Sequence, residues 1–135
     1  MQGLRPSEGY AEELRLQALI AADHARASTA DATDWRSIAN HYAALEALTG
    51  SAIVRLNRAV AVAEAHGPRA GLALLEGLDE ILIFNHRLPA VRGELARRAG
   101  DTELARASYG AALALCANEA ERSYLSARLA GLHAS

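Results

Sequence analysis

Apolar and polar residues alternate along most of the chain with the spacing of amphipathic helices. Apolar side chains recur every three or four residues, which places them together on one face of a helix. This pattern, divided by capping residues and glycines, predicts seven helices. They cover residues 8–27, 35–48, 54–66, 68–78, 88–99, 102–115 and 118–132, the last serving as a polar cap.

The predicted boundaries rest on residues with known preferences for helix ends. Asp34 and Asn118 carry side-chain oxygens that can accept hydrogen bonds from the free backbone N–H groups of a first turn, and so can Asp101 or Thr102. Gly67 ends the third helix, and Pro68 suits the first turn of the fourth. These signals fix where helices begin and end.

The segment 79–87 does not follow the helical pattern. Its string ILIF at residues 81–84 has the composition of a strand, but no second strand-like run exists to pair with it. We therefore expect a short helical turn or a loop anchored by apolar side chains. The sequence predicts an all-α chain, with one domain over residues 1–135 and a disordered start at residues 1–7.

The helices recur with a period of 33–34 residues. Gly67 and Gly100 lie 33 residues apart, and Ile38, Leu72 and Ala105 are spaced by 34 and 33 residues. This helix–turn–helix period is that of tetratricopeptide repeats. One helix pair cannot bury its apolar face alone, so pairs stack. We predict a tetratricopeptide-like right-handed helical solenoid of about seven antiparallel helices.

Composition and charge exclude several classes of protein. The chain is 51% hydrophobic and 22% charged, which is typical of a globular domain. Its net charge is −2 and its basic residues are all arginine, so it lacks the strong basic excess of a nucleic-acid binder. No segment approaches the roughly 20 apolar residues of a membrane span. A bacterial cytoplasm fits this composition best.

Catalytic and metal-binding motifs are missing from the sequence. The five histidines form no metal-ligand spacing such as HExxH, and Cys116 has no cysteine or histidine nearby in the sequence. Cys116 is most simply a small buried residue. No phosphate-binding glycine loop is present. We therefore expect no enzyme activity, no metal and no cofactor.

A strip of polar residues crosses the first helices of the predicted pairs, on the side that lines the concave groove in this type of repeat. Such side chains can bind a peptide backbone or a carboxylate. Ala21, Ala61 and Ala90 separate them as small spacers. The candidate protein-binding residues are Gln17, His24, Asn57, Glu64, Glu94, Arg97 and Arg98. An internal role stays open, since Glu64 and Arg97 are placed to pair across neighbouring repeats.

Five strings together resemble one protein family. They are QALIAADHA (17–25), DWRSIANHYAALEAL (34–48), VRLNRAVAVAEAHGPRAGLALL (54–75), LPAVRGELARRAGD (88–101) and NEAERSYLSARLAGL (118–132). In this order they resemble the C-terminal tetratricopeptide-like extension of extracytoplasmic-function RNA polymerase sigma factors. The sequence departs from the family pattern at Thr49-Gly50, where a proline is expected in the turn, and at the apolar ILIF.

The resemblance implies a regulatory domain that acts in transcription initiation. Such a domain would dock on the sigma domains of its own chain or on a partner protein associated with RNA polymerase, without binding DNA itself. The alternative is a free-standing tetratricopeptide-like scaffold that joins two unrelated proteins. An enzyme is the third possibility, and clustered titratable groups in a cavity beside His24 or Cys116 would be its first support.

Overall fold

The helices of this chain follow one another with connections of one to eleven residues. The structure is a computed structural model that describes residues 6–27 and 34–134. The described residues form seven α-helices and no strand. These helices are α1 (Pro6–Ala27), α2 (Trp35–Thr49), α3 (Ala52–His66), α4 (Pro68–Leu75), α5 (Arg87–Ala99), α6 (Thr102–Leu115) and α7 (Glu119–Ala134). The prediction of an all-α chain is confirmed.

The helix ends are held by the residues that the sequence indicated. The side chains of Asp34, Asp101 and Asn118 accept hydrogen bonds from backbone N–H groups three residues further on, at 3.0, 3.1 and 2.9 Å. Gly67 has a φ of +102°, a backbone conformation that favours glycine, and it separates α3 from α4. Local chemistry therefore explains most of the helix boundaries.

Four boundaries differ from the prediction by two residues or more, and one of them is the start of α3, at Ala52 instead of residue 54. Helix α1 begins at Pro6, so residues 6–7 are helical, while residues 1–5 lie outside the described residues. A proline fits there because the first N–H groups of a helix have no partner within it. Helix α4 ends at Leu75, before Gly77, which has a φ of +83°. Helix α7 continues to Ala134.

The segment 79–86 is a series of turns, as expected. The N–H groups of Ile81 and Leu82 both donate to the carbonyl oxygen of Leu78, at 3.1 and 2.8 Å. Leu78 is buried, and Leu82 is half-buried against the same core. These two leucines anchor the segment between α4 and α5.

Each helix packs mainly against its neighbours in the chain, and α3 also contacts α5. The buried side chains form four clusters whose order follows the helices from α1 to α7. The largest fully buried side chains are Tyr109, Ile38, Leu56, Leu75 and Leu88. Cys116 is buried, as predicted. The described part of the chain contains no helix that is both long and apolar enough to cross a membrane.

An ion-pair cluster joins α2 to α3. Arg55 Nε lies 2.7 Å from one carboxylate oxygen of Glu46, and Arg58 Nη1 lies 3.1 Å from the other. Partial burial alone would raise the pKa of Glu46, but the hydrogen bonds and charges of the two arginines outweigh it and lower the pKa. Folding is therefore coupled to the ionisation of Glu46.

We expect Glu46→Gln to lower the free energy of unfolding by about 1 kcal/mol at neutral pH, since it breaks a partly buried ion pair. The folded-state pKa lies below the unfolded value near 4.5, so the contribution is complete above that pH. It is lost as the pH falls through the folded-state pKa. Urea denaturation at pH 7 and in mild acid should show a smaller acid-induced loss in the variant.

The two arginines provide the control for this experiment. Replacing Arg55 and Arg58 together by glutamine removes the cause of the lowered pKa and should reduce the acid-induced loss in the same way. An acid profile that keeps its wild-type shape in both variants would show that Glu46 contributes nothing to it.

Candidate functional site

A groove of about 400 Å³ lies between α3, α5 and α7. Residues three or four positions apart lie on one face of a helix, and the spacing of Val60 and Glu64 on α3 follows this rule. Arg87, Ala90, Glu94 and Arg98 repeat the same spacing along α5. The groove is lined mainly by Val60, Glu64, Arg87, Ala90, Glu94 and Arg98, with Tyr124 from α7. Its floor is apolar and its rim is charged.

Two polar contacts cross the groove from α3 to α5. Arg98 Nη1 lies 3.0 Å from Glu64 Oε1, with about a third of each side chain exposed. Arg87 donates a hydrogen bond to the side-chain oxygen of Asn57. Exposed pairs of this kind contribute about 0–1 kcal/mol, so a partner that offers equivalent groups can replace them at little cost.

Glu94 lies at the centre of a more buried network. Its carboxylate accepts hydrogen bonds from the hydroxyl groups of Tyr109, at 3.2 Å, and Tyr124, at 2.6 Å. It also pairs with Arg97 and lies 3.4 Å from Arg128 Nε. Burial alone would raise the pKa of Glu94, but these donors and charges lower it. Burial raises the pKa of Tyr109. The network connects α5, α6 and α7.

The internal pair considered from the sequence, Glu64 with Arg97, does not form. Glu64 pairs with Arg98, whereas Arg97 pairs with Glu94 on its own helix. Arg97 lines a separate surface depression with Arg128 rather than the groove. Successive residues of a helix point about 100° apart, so adjacent arginines serve different faces.

The prediction that Ala61 lines the groove as a small spacer is also wrong. Ala61 is only 1% exposed and packs with Ile38 and Ala39 of α2. The register that brings Glu64 to the groove turns Ala61 towards α2. Val60 takes the place expected for Ala61 and gives the groove a larger apolar floor.

The polar strip does not extend to α1 in the described part of the chain. Gln17 is exposed, and its Nε2 lies 3.4 Å from Glu13 Oε1 of the same helix. Helix α1 packs against α2, and no described residue of α1 lines the groove. The side chain of His24 lies outside the described residues.

Arg87 and Tyr124 belong to the groove but were missed from the sequence. Arg87 falls at the end of the segment whose structure was ambiguous, and Tyr124 lies in a helix interpreted as a polar cap. The position of Tyr124, six residues after Asn118, gives no indication by itself that its hydroxyl reaches Glu94. Only the packing of α7 beside α5 reveals that role.

A second surface is formed by the turns between α4 and α5. The side chains of Ile81, Ile83 and Phe84, which we call the apolar loop, are 67%, 62% and 82% exposed. A depression of about 220 Å³ beside Ile83 extends to Leu115 of α6, which is 39% exposed. The exposed apolar surface thus continues from the loop onto a helix.

The structure also brings His86 beside Cys116 and Glu121, so that three possible metal ligands lie together. One donor atom from each of His86, Cys116 and Glu121 lies within 4.8 Å of the other two. His86 Nε2 and Glu121 Oε2 are 2.6 Å apart, and Cys116 Sγ lies 3.3 Å from the same oxygen. The expectation of no metal rested on the spacing of the histidines and of Cys116 in the sequence, which does not show that His86 lies beside Cys116 in the fold.

Comparison with known proteins matches this chain to part of a longer protein. No family model matches this sequence, and no solved structure matches it. An uncharacterized protein of Rhizobium meliloti (strain 1021) is 43% identical over 115 residues. These residues are 85% of this chain but 27% of the relative. The chain therefore spans about a quarter of the length of the curated relative it matches.

Proposed function

We propose that this chain is a regulatory protein-interaction domain of an extracytoplasmic-function sigma factor, acting in transcription initiation in the bacterial cytoplasm. The five strings that resemble the tetratricopeptide-like extension of such factors support this proposal. The serial packing of the helices and the contact of α3 with α5 support a stacked, solenoid-like arrangement. The function is docking on sigma domains, without DNA binding by this domain.

The apolar loop is the observation that carries the docking proposal. Three large apolar side chains within four residues, those of Ile81, Ile83 and Phe84, are each more than 60% exposed. Burial of one methylene group contributes about 0.8 kcal/mol. A partner that covered these three side chains would therefore gain binding free energy from their burial. Clustered exposed apolar groups of this kind mark protein-interaction surfaces. The loop is anchored by Leu78 and Leu82, so it is presented on a defined backbone.

The proposed occupant is a sigma domain of the same polypeptide. The Rhizobium relative carries its equivalent of this region within a chain about four times as long as the matched part. A covalently linked partner has a high effective concentration, so a small apolar surface suffices for docking. A separate protein would bind only weakly to an interface as small as these few exposed side chains provide.

The groove provides a second contact in this proposal. Its apolar floor accepts a short apolar segment. The pairs Asn57–Arg87 and Glu64–Arg98 then exchange their contacts with each other for contacts with the partner. Glu94 and Arg97 serve mainly to hold the walls, because their contacts lie within the network of α5, α6 and α7. Gln17 and His24 stay predictions for a contact at α1.

The docking proposal predicts that Phe84→Glu weakens binding of the sigma region by at least about tenfold. The change removes an apolar anchor and places a charge in an interface that must be dehydrated. Phe84 is 82% exposed, so the free energy of unfolding should stay close to that of the wild type. Calorimetric titration of this domain with the separately expressed sigma domains measures the affinity.

Ile53→Glu is the matched control, since Ile53 is an exposed isoleucine of α3 and is not one of the three apolar-loop residues. It should leave binding unchanged. Equal effects of Phe84→Glu and Ile53→Glu would exclude the loop as the docking surface. If Asn57→Ala weakened binding and Phe84→Glu did not, the groove alone would be the site.

The regulatory part of the proposal has its own test. Deletion of this domain from the full-length sigma factor should change promoter-directed transcription in a purified system. Unaltered transcription, together with no binding of the sigma domains, would contradict the proposal and favour a free-standing scaffold.

A further inference from the structure

The ends of three helices converge at one point on the side of the molecule near the apolar loop. His86 immediately precedes α5, Cys116 ends α6, and Glu121 lies in the first turn of α7. Their donor atoms all lie within 4.8 Å of one another, with Glu121 Oε2 in contact with both His86 Nε2 and Cys116 Sγ. Two donor atoms that bind one ion tetrahedrally at about 2.0–2.3 Å lie about 3.3–3.8 Å apart. The distance from Cys116 Sγ to Glu121 Oε2, 3.3 Å, already fits this geometry, whereas His86 Nε2 must give up its 2.6 Å contact with Glu121 Oε2 to make room for the ion.

We infer that His86, Cys116 and Glu121 form a binding site for Zn²⁺. Imidazole nitrogen, thiolate sulfur and carboxylate oxygen are the three ligand types that zinc takes in proteins. Thiolate and carboxylate together carry two negative charges, which a divalent cation neutralises. Three protein ligands leave the fourth tetrahedral position to water. Binding releases the thiol proton, and any proton held by His86, to solvent.

Hydrogen bonds hold the backbone that carries Cys116 and Glu121 before any ion binds. The N–H of Cys116 donates to the carbonyl oxygen of Ala112 at 2.9 Å, which closes the last turn of α6. Arg122 Nη1 donates to the carbonyl oxygens of Leu113 and Cys116, at 2.5 and 2.8 Å. Asn118 caps α7 and thereby orients Glu121. These contacts fix the connection from α6 to α7.

The burial of the three residues suits an ion that must enter from solvent. Cys116 is 5% exposed, whereas the side chains of His86 and Glu121 are 38% and 52% exposed. The thiol thus lies at the inner end of the site and the other two ligands at its mouth. Arg87 and Arg122 are the nearby cations, and the guanidinium of Arg122 is engaged with backbone carbonyl oxygens.

A bound ion would link α7 directly to the start of α5. The hydrogen bond from Tyr124 to Glu94 already connects the same two helices, one turn after Glu121 on α7 and about two turns after His86 on α5. Zinc would therefore hold α7 in place as one wall of the groove. This inference goes beyond the proposed function and does not depend on it, because metal binding is measured on the isolated chain.

The test is titration of the reduced chain with Co²⁺ and then Zn²⁺. We expect one Co²⁺ per chain, with a near-ultraviolet thiolate-to-cobalt charge-transfer band that Zn²⁺ abolishes. Cys116→Ser should remove the band. His86→Gln and Glu121→Gln should each weaken Co²⁺ binding by at least about tenfold, since loss even of an outer partner has that effect. Zn²⁺ should raise the melting temperature of the wild type but not of Cys116→Ser.

His66→Gln is the matched control, because His66 is exposed at the end of α3 and lies outside the site. It should bind Co²⁺ as the wild type does. Absence of the band in the wild type would overturn the inference. So would wild-type affinity in both His86→Gln and Glu121→Gln, since binding would then depend on the thiol alone. Glu121 is 52% exposed, so its variant keeps the fold.

Discussion

Gly71→Ala is expected to lower the free energy of unfolding by about 2 to 3 kcal/mol, although alanine favours a helix more than glycine does. A Cβ atom at position 71 would lie 2.7 Å from the carbonyl oxygen of Ala59, 2.8 Å from Cβ of Ala63 and 2.9 Å from Cδ1 of Leu95. The helix-propensity gain is about 1 kcal/mol. Overpacking costs about 1 to 3 kcal/mol, and more where backbone must move, as it must here.

The close contact explains why α3 and α4 meet at a glycine. The carbonyl oxygen belongs to the backbone of α3, so relief requires the whole helix to shift. Leu95 of α5 lies in the same contact, so the shift would also disturb the third helix of the cluster. Urea denaturation followed by circular dichroism measures the loss.

Gly110→Ala is the matched control on α6. A Cβ atom there would meet nothing within 4 Å, and the residue is exposed. The variant should be stabilised by up to about 1 kcal/mol through helix propensity alone. If both variants were stabilised equally, α3 and α4 could not pack as closely as described.

Glu94→Ala is expected to lower the free energy of unfolding by about 2 kcal/mol. The hydroxyl of Tyr109 loses its acceptor, and Tyr109 is fully buried, so water cannot easily replace the carboxylate. Tyr124, Arg97 and Arg128 are partly exposed and can turn to solvent, which limits the loss. Chemical denaturation at pH 7 gives the value.

The lowered pKa of Glu94 adds a pH dependence to this prediction. The contribution of Glu94 is complete above the unfolded-state pKa near 4.5 and is lost as the pH falls through the folded-state pKa. The difference between wild type and Glu94→Ala should therefore shrink in acid. A constant difference over this range would show that the charge of Glu94 is not what stabilises the network.

Glu12→Ala is the control for a carboxylate in an exposed pair. Glu12 pairs with Arg15 one turn along α1, and both side chains are substantially exposed. Its stability should stay nearly that of the wild type because solvent screens such a pair.

The helices could be predicted closely because their signals are local. Asp34, Asp101 and Asn118 cap the helices that they were expected to cap, through bonds only three residues long. The ILIF segment shows the limit of this reasoning. Composition indicated an apolar anchor, but only packing decides that Leu82 turns inward while its three apolar neighbours face solvent.

The candidate site was predictable only in part. The register along α3 and α5 indicated that Glu64, Glu94 and Arg97 share one surface, with Arg98 adjacent. The structure places Glu64, Glu94 and Arg98 in the groove and Arg97 in a separate depression. The register did not indicate which arginine each polar side chain of α3 pairs with. Asn57 meets Arg87 and Glu64 meets Arg98, since small differences in helix rotation select the partner.

The sequence by itself determined the all-α class, the order of the helices and the burial of Cys116. These properties depend on contacts within a few residues and on apolar periodicity, which the chain carries in every segment. The tertiary structure alone decided that His86, Cys116 and Glu121 meet, and that Tyr124 reaches Glu94. Such contacts depend on the rotation and offset of helices that are far apart in the chain, and these are set by packing at residues such as Gly71.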